Sequence, residues 1–220
     1  MAIEGRMPYS SNGTYLVRIE LDGDEELGIY KPVRGERPLW DFPPGLWRRE
    51  VAAHRLGTAL GWEVVPVTIP RADGPLGEGS FQQFVPFDPD AHYFTLYEDE
   101  THHDALRRLA IFDILANSTD RKGGHCLVDE DHHIWAIDNG LSFHQEFKVR
   151  TVIWDYAGEY LPSDVVEGLT KLLDDGLPDD LAELLDPFER DAVLTRAGAL
   201  LQTGSFPHDP TGHRYPWPLV

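Results

Sequence analysis

Four features of this chain place residues where they can act on phosphate. Lys31 stands near the end of an apolar run, Ile29-Tyr30-Lys31-Pro32, where a buried ammonium is costly unless it meets an anion. Glu50 lies beside the apolar stripe of the helical pattern that follows. A lysine on a strand and a carboxylate on the next helix form the kind of ion pair that orients nucleotide phosphates. Ser10-Ser11-Asn12-Gly13-Thr14 opens a strand with small residues and one glycine, a composition that lets backbone amides approach a phosphate. Asp120 follows a helical run in a polar loop, and Asp138 follows an apolar strand eighteen residues later. Phosphoryl transfer uses a carboxylate to accept a hydroxyl proton and further ligands to hold a divalent metal, and loop carboxylates flanking a short hairpin can converge to supply them.

Each of these residues also has an ordinary structural reading. Lys31 can be a half-exposed edge-strand lysine. Glu50 can be a solvated helix charge answering Arg48 or Arg49. Gly13 suits a plain strand start, and Asp138-Asn139-Gly140 is common turn chemistry. His102-His103 and His132-His133 read as surface histidines, since adjacent residues on a helix or strand diverge. Arg34, Arg37, Arg48 and Arg49 can hold a phosphate or pair with Glu36 and Asp41. Lys148 and Arg150, in the loop from His144, can meet an anionic substrate.

The elements that must position these residues follow from periodicity. Thr14–Glu20 and Leu27–Val33 alternate as a hairpin around Asp22-Gly23-Asp24. Trp47, Val51, Leu56 and Leu60 recur at helical spacing until Gly61. Glu63–Ile69 and Gly79–Pro86 read as strands around a turn at residues 72–75. A helix from Thr101 to about Ala116 buries Leu106, Leu109, Phe112 and Ala116, with Thr101 and Asp104 as a capping box. His125–Val128 and Ile134–Ile137 form a second hairpin. Helices are expected at Ser163–Asp174, Pro178–Leu185 and Pro187–Gln202, the last with Asp186 as its cap. The acidic run from 174 to 191 reads as a solvated helix face, and Phe206–Val220 as extended chain. The order predicts an α+β protein in two lobes, a small β-rich one over about 1–86 and a larger helical one over 87–220, forming one domain.

Composition narrows the partners. With 220 residues, 38 acidic against 19 basic side chains and a net charge of −19, the chain is a poor ligand for nucleic acid or for an anionic membrane. The lone cysteine, Cys126, forms no internal disulfide, and with no apolar spanning run or signal pattern the expectation is a cytoplasmic protein. The few lysines beside many arginines fit a GC-rich bacterial genome. Ile3-Glu4-Gly5-Arg6 spells a protease site but is read as native chain. The stretch Lys31–Arg49 carries five cations against Glu36 and Asp41, which predicts a locally basic cleft on an acidic body.

Thr119-Asp120-Arg121 followed by Ile137-Asp138-Asn139-Gly140-Leu141-Ser142-Phe143 resembles the phosphatidylinositol 3-/4-kinase-like superfamily, most closely its type II phosphatidylinositol 4-kinases and HipA-type bacterial kinases. Ser11–Val17 is similar to their phosphate loop, Tyr30-Lys31-Pro32 to their lysine strand, and Ser80–Val85 to the segment joining the lobes. The stretch Lys31–Pro43 is similar to the signature of an actinobacterial family of short kinase-like proteins. The likeness is collinear over about residues 10–160. It implies a bilobal protein-kinase-like fold and an ATP-dependent kinase. ATP would lie on Ser11, Asn12, Gly13, Thr14 and Lys31, with Glu50 orienting Lys31 and with adenine on Gln83, Phe84 and Val85. Asp120 would be the catalytic base, and Asp138 would hold Mg²⁺ or Mn²⁺. The family's usual asparagine metal ligand is replaced by His125, a donor that favours Mn²⁺. The acceptor, a hydroxyl of a soluble small molecule or protein, is not specified. The alternative is a nucleotide-binding pseudokinase that regulates a partner; a metal-dependent hydrolase is poorly supported, because no histidine pair has ligand spacing.

Overall fold

The computed structural model describes residues 1–8, 10, 12–21 and 23–220, so Ser11 and Asp22 of the expected loop and turn lie outside the described residues. The first half is an antiparallel sheet in the order β1-β2-β3-β5-β4, built from β1 (Ala2–Arg6), β2 (Tyr15–Leu21), β3 (Asp24–Pro32), β4 (Thr68–Gly74) and β5 (Gly77–Gln83). β2 and β3 pair as the alternation predicted, with Tyr15 opposite Tyr30 and Arg18 opposite Leu27. β1 is an addition: the Ile3–Arg6 stretch is an exposed edge strand on β2, its charges suited to an unpaired rim.

β4 departs from expectation. The strand starts at Thr68 rather than Glu63, and it runs through residues 72–74 of the expected turn. Val64 and Val65 sink into the main core instead, and the Val64 carbonyl accepts from the Ala136 amide at 2.7 Å, so this stretch is claimed by the second hairpin and not by the sheet.

Between β3 and β4 runs α1 (Trp47–Leu60), whose four predicted apolar positions are all buried and whose end is capped by Gly61 in the left-handed conformation. Its apolar face joins the large core with α3 (His103–Ala116), α4 (Ser163–Asp175) and α6 (Pro187–Thr203). The sheet's own cluster is small: Val17, Tyr30 and Phe81. α2 (Tyr93–Leu96) and α5 (Asp179–Ala182) are single turns, the latter much shorter than the helix expected over 178–185; Leu181 and Leu185 are buried in the core and Leu184 packs against it. β6 (Cys126–Val128) and β7 (Ile134–Ala136) form the second hairpin.

Helix starts show how capping competes with spacing. Asp186 caps α6 through the amides of Phe188 and Glu189, as expected. At α3 the cap is different: Asp99 accepts from the Thr101 amide and hydroxyl, making a 3-10 turn over Glu100–His102, and the α-helix begins only at His103. This turn buries His102, which was expected at the surface. The acidic run 174–191 is solvated except at Glu189, which is buried. No helix among the described residues is long and apolar enough to cross a membrane.

Candidate functional site

The site is assembled from β3, α1 and the two loops that flank the β6–β7 hairpin. Lys31, at the end of β3, donates to Glu50 Oε1 and, at 2.8 Å, to Asp138 Oδ1. Glu50 is almost wholly buried on α1, and its Oε2 accepts from the Asn139 amide at 3.0 Å. One carboxylate therefore fixes both the lysine and the backbone beside Asp138. Burial opposes the charge on Lys31, but Asp138 and Glu50 together hold its ammonium well above the ordinary lysine range. In return the Lys31 charge holds the Asp138 carboxyl well below the usual carboxylate range. Asp138 itself has φ +58°, a left-handed conformation that Asp tolerates at modest cost and that aims its carboxylate back at Lys31.

Asp120 lies on the same cleft, with Oδ2 2.7 Å from Lys122 Nζ. The His125 ring is oriented by Nδ1, which donates to the Asp120 carbonyl at 3.0 Å. That leaves Nε2 with its lone pair facing Asp138 Oδ2 at 3.6 Å. Burial, with Arg121 and Lys122 nearby, holds the imidazole below its usual value despite Asp138 and Asp120. Two acceptors facing each other are satisfied by a cation between them, and a histidine whose other nitrogen is held by a carbonyl is a common metal-ligand arrangement. No three His, Cys, Asp or Glu side chains among the described residues are grouped to hold a metal alone. A divalent ion on Asp138 and His125 would complete its shell on phosphate and water oxygens, as Mg²⁺ usually does.

Beneath the site sits a pair that sequence reasoning left without a partner. Arg121 is buried, and its Nε donates to Asp113 of α3 at 3.0 and 3.3 Å while its other nitrogens donate to the Ile137 carbonyl and Asn139 Oδ1. Thr151 Oγ1 adds a third bond to Asp113 at 2.8 Å. The network ties the Asp120 loop to the Asp138 segment through the core.

The phosphate-loop residues are brought to the cleft with one surprise. Asn12, Gly13 and Thr14 line it. The Gly13 amide, however, donates to the Gly35 carbonyl at 2.8 Å, and an added Cβ on either glycine would lie under 3 Å from the other's backbone. Asn12 Oδ1 accepts from the Arg37 amide, pinning the loop to the β3–α1 connection. Gln83, Phe84 and Val85 stand apart from this cleft. The Gln83 and Phe84 amides are spent on the Val67 and Leu27 carbonyls. Gln83 sits opposite Gly28, three residues along β3 from Lys31, which is about 10 Å at strand rise.

The expected basic cleft is not found. Glu36, Glu50, Asp120 and Asp138 line it against Lys31 alone, an excess of three negative charges. Arg49 turns inward to a buried pair with Glu189 and donates to the Ser142 carbonyl at 2.9 Å. Glu36 accepts from the amides of Gly45 and Trp47, satisfying the start of α1, and Asp41 pairs with Lys148 at 3.3 Å. Neither acid answers Arg34, Arg37 or Arg48, and Lys148 is not free for a substrate. An anionic ligand therefore enters this cleft best with accompanying cations.

No family model matches the chain. Among solved structures, the Helicobacter pylori proinflammatory kinase CtkA superposes with a TM-score of 0.50 at 10% identity, covering 92% of this chain and 91% of that one. Hydra Fam20, solved with sugar, gives 0.49 at 14% identity, covering 92% and 84%. At such identity the likeness to CtkA is one of fold, and with the β-rich and helical halves already described it makes this a bilobal, kinase-like α+β fold. Protein Rv2133c of Mycobacterium tuberculosis aligns over 256 residues at 37% identity, spanning 99% of this chain and 91% of that protein. Identity at that level over almost all of this chain and nine-tenths of that one goes beyond shared architecture: the chain belongs to the family of protein Rv2133c.

Proposed function

We propose that the protein is an ATP-dependent phosphotransferase of the phosphatidylinositol 3-/4-kinase-like superfamily, a single cytoplasmic domain with lobes at about 1–86 and 87–220. The observation that carries this reading is Lys31 bridging Glu50 and Asp138 across the cleft that also holds Asp120. Lys31 binds the nucleotide's inner phosphates, oriented by Glu50, while Asn12 and Thr14 edge the phosphate chain. Ser11 is part of the same loop in sequence. Gln83, Phe84 and Val85 take the adenine end, Gln83 lying opposite Gly28, three residues or about 10 Å along β3 from Lys31. Asp138 and His125 hold Mg²⁺ or Mn²⁺, which when bound offsets phosphate charge that the acidic cleft would otherwise repel. Asp120 takes the proton of the acceptor hydroxyl, and Lys122 keeps a positive charge beside it. The acceptor is soluble, since a net charge of −19 disfavours an anionic membrane surface.

Calorimetric titration of ATP with Mg²⁺ and then Mn²⁺ tests the reading. Binding is expected with at least one metal, and Lys31→Met is expected to weaken it by about tenfold or more, the worth of a charge-assisted contact. Absence of binding with both metals refutes it. One observation favours the pseudokinase alternative: Asp120 is already ion-paired with Lys122. ATP turnover lost in Asp120→Ala supports the enzyme, whereas binding without turnover, unchanged in that variant, supports the pseudokinase.

A further inference from the structure

A hollow of about 130 Å³ adjoins the Lys31 cleft and shares Glu36 and Leu46 with it. Its walls come from the connection between β3 and α1, and they are apolar: Val33, Leu39, Phe42 and a set of prolines. A hollow of this size is close to the ~150 Å³ of a cavity that takes up benzene, so it fits the body of a single-ring ligand. The connection leaves β3 beyond Pro32, whereas Gln83 lies the other way along the strand, opposite Gly28. The hollow therefore opens from the end of the cleft away from Gln83.

Its one cation is Arg37, an exposed side chain with no carboxylate at ion-pairing distance among the described residues. Glu36, the hollow's one carboxylate, has its oxygens engaged by the Gly45 and Trp47 amides. The walls are held before any ligand arrives. The Arg37 amide is bonded to Asn12, Asp41 is paired with Lys148, and Phe42 meets the His144 ring edge-on at 5.5 Å. An unneutralised guanidinium at the rim of a preformed apolar hollow selects a ligand that carries both an apolar body and a negative charge.

We infer that this hollow seats the phosphate acceptor, and that the acceptor is a small organic anion bearing an alcohol. Its apolar body rests on Leu39 and Phe42, its anionic group meets Arg37, and its hydroxyl passes Leu46 toward Asp120. The inference rests on the phosphotransfer reading above. In the transfer the alcohol oxygen bonds to the γ-phosphorus as the bond from that phosphorus to the β,γ-bridging oxygen breaks. ADP leaves with that electron pair, and the alcohol proton passes to Asp120.

The test uses the full chain without nucleotide and three probes: 4-(hydroxymethyl)benzoate, neutral benzyl alcohol and cationic 4-(hydroxymethyl)benzylamine, compared by ligand-observed NMR titration. The benzoate is expected to bind about tenfold more tightly than the other two, the worth of one charge-assisted contact. Arg37→Glu is expected to erase that margin and Arg37→Lys to keep most of it, with unchanged melting temperatures because the side chain is exposed. Equal binding of the three probes, or benzoate binding that survives Arg37→Glu, overturns the inference. Calorimetry with ATP and metal separates the failures. ATP binding alongside Arg37-independent probe binding overturns the acceptor site alone. Probe binding with no ATP binding overturns the phosphotransfer reading and the acceptor role with it.

Discussion

Replacing Asp113 by Asn keeps the shape of a side chain that contacts no ligand, yet it should unsettle the whole site. Asp113 is fully buried and is the counter-charge to Arg121, which is itself only 1% exposed. Asparagine retains one acceptor for the guanidinium but removes the negative charge, so Arg121 is left as an uncompensated buried cation. Breaking a buried pair in this way costs about 3–5 kcal/mol. The retained acceptor places the expected loss at the low end, about 3 kcal/mol, or a fall of about 6–12 °C in melting temperature for a chain of this size. Urea unfolding followed by circular dichroism measures it. Because Arg121 also holds the Ile137 carbonyl and Asn139, the Asp138 segment should loosen locally, seen as faster amide exchange there than in α6. A double-mutant cycle with Arg121→Met should show coupling above about 1 kcal/mol. A drop below about 2 °C, or additive losses in the cycle, would refute the claim that this pair organises the site.

Other outcomes follow from the same geometry. His125→Asn should move the metal preference of nucleotide binding from Mn²⁺ toward Mg²⁺, read by calorimetry; an unchanged preference removes His125 from the metal's ligands. Burial pushes the Cys126 thiol up to about 12, so the native protein should resist thiol reagents at pH 8 and react only when unfolded in urea; prompt native labelling refutes that burial. Burial also holds His54 below the usual imidazole value, with the Val65 carbonyl and Asp180 opposing and Arg55 assisting. As pH falls below about 6.5 the unfolded chain takes that proton first, so stability declines with acid; His54→Gln should lessen the decline in urea midpoint between pH 7.5 and 5.5, and an identical decline counts against the assignment.

What the sequence disclosed, and what it hid, divides by the range of the interaction. The hairpin of β2 and β3, the stripe of α1 and the core face of α3 depend on neighbours within a few residues, and periodicity located them. Lys31, Glu50, Asp120 and Asp138 were each visible as costly or turn-prone residues in the right kind of element, and the structure gathers them on one cleft. Partners distant in sequence were not visible. Arg49 meets Glu189 across 140 positions, and Glu36 turns to the start of α1, so a stretch rich in arginine lines an acidic cleft. Lys122 beside Asp120 was missed although its spacing, two residues on in the same loop, was the available signal. Val64 and Val65 read as strand because β-branched residues favour any half-buried extended chain, and only the Ala136 amide decides which neighbour they join. The Asp113–Arg121 pair left one cue: a charged residue in the middle of an apolar helix face.

These long-range ties also determine which half of the site is the firmer. In kinase folds the lysine–glutamate pair depends on where the glutamate's helix sits. Here that helix is held at several points. Its apolar face belongs to the large core, Glu36 satisfies its first amides, and Arg49 binds both Glu189 of α6 and the Ser142 carbonyl. Glu50 in turn grips the Asn139 amide, so the helix and the Asp138 segment form one block. Lys31 comes instead from a sheet whose separate core, among the described residues, is Val17, Tyr30 and Phe81 with Tyr15, Ile19 and Leu76 packed partly against them, and whose edges at β1 and β4 are exposed. Burying so little apolar surface, the sheet is the less stable partner, and fluctuations that open the cleft are carried by it rather than by α1. The ion pair from Lys31 to Glu50 and Asp138 thus ties a firmly held block, α1 with the Asp138 segment, to a looser sheet.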